Sequence, residues 1–211
     1  MEIPKERESK ITSEEKYRIL INARNFHYEN FSKWLTYFYI AIGALFVGYC
    51  SIVASEENKS LEYLLIILGF ILSLLWYWSA KGYYFWNINF INLVNYYERD
   101  ILKFEKSERV YSFFANKKTQ NNYFNPISGA NISTSKVAIL FAFVITVAWA
   151  FIFYNTIINC ECGSFYSVII CATLSLLTVV ILSCFIPKYC LKSYIDHFPD
   201  MCLKFEEDDP K

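Results

Sequence analysis

The sequence predicts an all-α, polytopic membrane protein with four transmembrane helices and a cytoplasmic helical layer. Three observations carry that expectation. The first is segregation of charge: 20 acidic and 20 basic side chains sit in 211 residues, yet four long stretches hold none of them. An α-helix needs roughly 20 residues to cross a ~30 Å hydrocarbon core, and each stretch is about that long or longer. The second is composition. The chain is 55% hydrophobic and 19% aromatic, with 19 Phe and 17 Tyr against 6 Gly and 5 Pro. Such a balance excludes a disordered chain, a collagen-like repeat and a small disulfide scaffold. The third is the placement of Lys and Arg. Nineteen lie in the leader, the middle segment and the tail, whereas the connections between paired spans hold only Lys59. By the positive-inside rule both termini and the middle segment are expected in the cytoplasm. Zero net charge gives no global reason to expect nucleic-acid binding, and direct contact with RNA stays open.

Residues 1–33 form the leader. Thr12-Ser13-Glu14-Glu15 reads as a capping box with Thr12 as N-cap. Tyr17, Ile21, Arg24, Tyr28 and Phe31 then recur at helical spacing, so an amphipathic helix feeds into the first span. Arg24 within that apolar stripe requires either a polar partner or a route to lipid phosphates. A charged leader without an A-x-A site argues against a signal peptide.

Residues 34–80 hold the first two spans, Trp34 to Ser55 and Tyr63 to Ala80. Residues 81–136 form the middle segment, where the helix is expected to continue through Glu105 because no proline occurs before Pro126. Ile88, Ile91, Val94, Ile101 and Leu102 mark one face, while Asn89, Asn92, Tyr96, Arg99 and Lys103 mark another. Its partner is either the leader helix or the same helix of a neighbouring subunit. Lys117 to Ser135 reads as a polar loop. Residues 137–187 hold the last two spans, Val137 to Cys160 and Cys162 to Pro187, and residues 188–211 a tail with an acidic end at Glu206 to Asp209.

Small residues recur at four-residue spacing inside the spans: Ala138, Ala142, Thr146 and Ala150; Ser167, Cys171 and Ser175; and the pair Ala44 and Gly48. Such ladders let helix backbones approach closely in lipid, within one subunit or between subunits. The spans contain no ionisable side chain of the kind proton relays, coupled transporters and voltage sensors require. A pore would need several copies, with a hydrophobic gate and a polar cytoplasmic ring from Asn87, Asn89, Asn92 and Arg99.

Nothing in the chain reads as a catalytic, cofactor or metal site. The two histidines, His27 and His197, lack the further ligands a metal requires. A HEPN-type ribonuclease places His four to six residues beyond its Arg, whereas Arg24 and His27 are separated by two. No phosphate-binding loop, nucleophile elbow or paired carboxylates occur, so no enzymatic activity is expected. Cys50, Cys160 and Cys162 lie at the outer surface, as thiols or in a disulfide. Asn58-Lys59-Ser60 matches a glycosylation sequon in a loop that hugs the membrane.

Asn25-Phe26 followed by Trp34 and the run Ala41 to Tyr49 opens the membrane part. Gly69 to Tyr77 follows, then Gly82, Trp86 and a helix tipped by Glu98, and finally Asn125-Pro126-Ile127-Ser128 leading to Ser135-Lys136. This order resembles the RipA-type family of octameric bacterial inner-membrane proteins over residues 15 to 155. The usual Arg-Gly after span two is Lys81-Gly82 here. The resemblance implies assembly with itself and the lipid bilayer into an octamer, without a known reaction. It also implies a link to stress and antiphage functions, because small membrane proteins of this kind accompany the RNA-guided effectors of type VI-B CRISPR loci. The function expected is an accessory or effector of antiphage defence that opens a pore. The alternative is a non-conducting scaffold or sensor that docks a cytoplasmic partner. Arg24, His27, Asn87, Asn89, Asn92 and Arg99 are the candidate interface or pore residues.

Overall fold

The computed structural model describes residues 11–55, 58–113, 122–158 and 165–191. They are helical throughout apart from turns and one loop. α1 (Ser13–Ser55) and α2 (Lys59–Tyr96, prolonged by a π-helical turn over Tyr97–Ile101) form a long hairpin. A short α3 (Val110–Phe113) precedes α4 (Thr134–Ile157) and α5 (Phe165–Tyr189). Four helices are long and apolar enough to cross a membrane. α1, and α2 with its π turn, run 43 residues each, about 65 Å at 1.5 Å per residue. That is twice the hydrocarbon thickness. The two helices therefore continue, unbroken, into an extramembrane layer.

The caps explain where the helices begin. The Glu15 amide donates to Thr12 Oγ1 at 3.2 Å, so Thr12 is the expected N-cap. Asn58 caps α2, its Oδ1 accepting from the Leu61 amide at 3.2 Å, so the sequon asparagine has a structural task. Ser133 caps α4 by accepting from Lys136 at 3.4 Å. α5 carries Pro187 in its last turn, where little of the helix remains to be disturbed.

α2 is the central element, packed against α1 on one side and α4 on another, with α5 mainly against α4. The face α1 turns to α2 follows Tyr17, Leu20, Arg24, His27, Phe31, Leu35, Phe38, Ile42 and Leu45, in steps of three and four from layer to bilayer. Spacing near 3.5 is that of helices winding around each other. Tyr28, expected in this stripe, is exposed and His27 takes its place. On α2 the inward face is Tyr83, Asn87, Phe90, Val94 and Glu98. Of the isoleucine stripe read from sequence, Ile88 and Ile101 are exposed, and Val94 alone is fully buried.

Inside the spans Trp76 centres a core with Ile42 and Ala142, stacked against Phe38 at 6.0 Å. The α4 ladder Ala138, Ala142, Thr146 and Ala150 is buried, and on α5 Cys171 and Ser175 are too, with Ser167 half-buried. That ladder extends beyond the expected residues to Val179 and Ser183. The buried hydroxyls bond within their own helices: Thr146 donates to the Ala142 carbonyl and Ser175 to that of Cys171. Tyr154 and Thr178 join α4 to α5 at 2.7 Å, and the Trp78 indole donates to Ser183 at 3.4 Å. Gly48 faces Leu65, but Ala44 is exposed and plays no part in packing within the subunit.

The long helix stops at Ile101, four residues before the expected end. Lys103 adopts a left-handed backbone (φ 54°) and turns the chain, a conformation that a non-glycine residue rarely takes. The first ten residues, the cysteines Cys160 and Cys162, and the tail with His197 and the acidic end lie outside the described residues. Among the described residues no disulfide forms.

Candidate functional site in the extramembrane layer

The feature that composition cannot explain is Glu98, a carboxylate with no exposed surface. Burying such a group costs several kcal/mol unless donors replace water (about 2–7 kcal/mol for a neutral group, more for a charge). Two donors meet Glu98 Oε1: the Tyr17 hydroxyl at 2.5 Å and the Val110 amide at 3.1 Å. Oε2 is enclosed with no hydrogen bond among the described residues. One side chain thus ties the start of α1, the end of α2 and the start of α3 together.

Local structure makes this junction. The π turn accepts Leu102 N at Tyr97 O, five residues back, and Phe104 N reaches the Glu98 carbonyl, both at 2.8 Å. The widened turn and left-handed Lys103 reverse the chain, so that the Val110 amide returns to the Glu98 side chain. Phe104 lies edge-on against Tyr17, with ring centroids 6.0 Å apart. Burial first, and then the hydrogen bond to Glu98, push the Tyr17 hydroxyl above the usual phenol range, so it stands as a neutral donor.

Arg24, seven residues along α1 from Tyr17, completes the junction. Its Nη1 donates to the Tyr111 hydroxyl at 3.2 Å and its guanidinium lies 5.7 Å from that ring centre. The remaining nitrogens donate to Asn25 Oδ1 at 3.0 and 3.3 Å. Arg24 therefore has a protein partner. His27 packs between Tyr83 and Phe90, at 5.0 and 5.3 Å, with Nε2 3.3 Å from the Tyr83 carbonyl.

The four residues read as a polar ring do not share a face. Asn87 points inward with Oδ1 enclosed and without a hydrogen bond. Asn89 is half-buried, and Asn92 and Arg99 are exposed. Arg99 pairs with Asp100 at 2.9 Å, which holds that carboxyl below its usual range. Asn87 thus leaves the candidate ring. Sequence reading placed Tyr17 and Glu98 correctly on their helices but missed Val110 and Tyr111. No motif marks those two; only the reversal after Ile101 brings them in. Among the described residues, no three His, Cys, Asp or Glu side chains come together as a metal site.

The family model for the octameric membrane protein family (8xMP) matches residues 14–158, from the first turn of α1 to the residue that caps α4. The chain belongs to this family. The match covers the hairpin, the Glu98 junction and α4, and it agrees with the RipA-type resemblance. Membership makes the chain a homo-oligomeric membrane protein. α5, outside the match, packs mainly on α4. No curated protein and no solved structure matches the chain.

Proposed function

We propose that the protein is an octameric ring in the bacterial inner membrane, with both termini and the extramembrane layer in the cytoplasm. It acts as an accessory or effector of antiphage defence by opening a pore, alongside an RNA-guided effector of a CRISPR locus. One observation carries the reading. α1 and α2 are continuous rods from the Glu98 junction to the far side of the spans, so a change at the junction tilts membrane segments directly. The spans hold no Asp, Glu, Lys, Arg or His, so a closed ring would be gated by an apolar constriction. Asn89, Asn92 and Arg99 supply polar groups on the cytoplasmic side. Catalysis has no part in this account.

A second reading, a non-conducting scaffold or sensor, is favoured by one feature. The loop before α4 is held by its own bonds: Asn122 Oδ1 accepts from Phe124 and Asn125, and Tyr123 donates to Asn131. Yet it displays Phe124 and Ile127 at 98% and 92% exposure, as a docking loop would. Liposome flux separates the readings. Purified protein, with a type VI-B effector loaded with guide and target RNA, should release an entrapped dye. Recovery of the effector on the rings without any release would support the scaffold and reject the pore.

A further inference from the structure

The entry to α4 is built at the edge of the bilayer. Lys136 stands one residue before the uncharged stretch that opens at Val137, and its Nζ lies 6.0 Å from the Tyr84 ring centre. Tyr84 follows Ala80, the end of the second uncharged stretch, by one helical turn. The two spans thus meet water at one level, and α4 begins there with Ser133 as its cap. The preceding loop is closed beside that cap. The Tyr123 hydroxyl donates to the Asn131 carbonyl at 3.2 Å, and the Asn122 amide donates to the Gly129 carbonyl at 3.1 Å.

Charge and exposure set this loop apart. From Thr119 to Ser135 no residue is charged, while Lys117, Lys118 and Lys136 border the run. At its tip Phe124 and Ile127 are almost wholly exposed, and Tyr123 and Ile132 flank them with more than half their surface open. The tip's backbone is closed on itself. Asn122 Oδ1 accepts from the Phe124 and Asn125 amides at 3.0 and 3.2 Å. Asn125 accepts twice, its Oδ1 from the Ile127 amide at 3.1 Å and its carbonyl from the Ser128 amide at 3.2 Å. Pro126 has no N–H. From Phe124 to Ser128, then, every backbone donor is used inside the loop. Bulk water would satisfy such groups by itself. A region poor in water would not, and there each unpaired backbone group costs free energy. A partner that docks by main-chain pairing would find no free donor at this tip.

We propose that the tip inserts into the phospholipid interface beside α4. Phe124 and Ile127 enter the upper acyl region, and the bordering lysines reach the phosphates. The loop thereby fixes the N-terminal end of α4 to the membrane surface. Three features favour lipid over a soluble protein on the same side chains: the loop's attachment at the span edge, its uncharged run between lysines, and its spent backbone donors. The inference uses the membrane-spanning fold alone and is independent of whether the ring conducts.

The test is carried out on full-length Phe124→Trp and Ile127→Trp chains, each reconstituted in phosphatidylcholine–phosphatidylglycerol vesicles. Both side chains are exposed, so both variants should fold as wild type does. The emission gained over the five native tryptophans should be blue-shifted and little quenched by acrylamide in the water. Most of it should be lost in vesicles of the same lipids brominated in the upper part of their chains. Lys106→Trp, exposed in the turn beyond the end of α2, should show the reverse on all three counts. Gained emission that is red and open to acrylamide overturns the proposal and leaves the tip to a soluble partner. Blue-shifted emission that brominated lipid leaves intact also overturns it, because a neighbouring copy then covers the tip. Dye release plays no part in this readout, so its failure is distinct from failure of the pore.

Discussion

Gly69→Ala should disrupt the membrane core more than a methyl added to any other described glycine. A Cβ at Gly69 would lie 2.5 to 2.6 Å from three ring atoms of Trp149. Trp149 is 3% exposed, bounded by Phe46 and Tyr49, and lines the apolar cavity between α1, α2 and α4. Relief requires the ring to shift into that cavity or α2 and α4 to separate, and overpacking of this kind costs about 1–3 kcal/mol. Thermal unfolding in detergent should show the loss, together with a smaller fraction of assembled protein. Trp149→Leu in the same chain should restore part of it, so that the two substitutions are strongly non-additive. Gly43→Ala and Gly82→Ala are the contrast, because a Cβ at either meets nothing within 4 Å. Wild-type stability in Gly69→Ala would mean that the α2–α4 contact is not as close as described.

Glu98→Ala should be the second large effect. It leaves the Val110 amide and the Tyr17 hydroxyl without their acceptor and opens a cavity where a fully buried side chain stood. A loss of about 3–5 kcal/mol is expected, from two donors left without an acceptor and the cavity beside them. Tyr17→Phe removes one donor and should cost about 1–3 kcal/mol. Glu98→Gln keeps an acceptor oxygen for both donors and should cost the least. Urea titration of the three variants orders them. Protease digestion should show the loss confined to the extramembrane ends of α1 and α2.

The pH dependence has a definite sign. The native pKa of Tyr17 is raised above its ordinary 10.0, by burial and by Glu98. The neutral hydroxyl thus contributes fully below pH 10. Its contribution falls as the pH climbs from 10 through the raised native value, because the unfolded state loses that proton first. Tyr17→Phe should flatten that alkaline limb.

Much of this fold was legible because membranes impose coarse rules. Gaps between charges located the spans, and the lack of proline between Lys81 and Asn125 allowed α2 to run on. Four-residue spacing found the α4 and α5 ladders, since only small residues let those backbones meet. Ala44 shows the limit of that rule: a small residue facing outward carries no different signal. The isoleucine stripe failed for a related reason. In a chain so apolar, Ile88 and Ile101 need not be inside, and the inward face is defined by Tyr83, Asn87 and Glu98, which include polar residues.

The Glu98 junction was only half legible. Tyr17 and Glu98 are 81 residues apart, and their meeting depends on the register of a long hairpin. Val110 arrives through a left-handed Lys103, where neither Gly nor Asn announces a turn.

Assembly is the central claim, and exposed side chains in the extramembrane layer demand it. Phe26 and Phe85, beyond the uncharged stretches, are 65% and 60% exposed. The most direct measurement is the mass of the particle in lipid nanodiscs, by light scattering or particle imaging. A closed ring of eight copies, with Phe26 and Phe85 protected from solvent labelling, is the predicted result. A monodisperse monomer, with both side chains accessible, would contradict it.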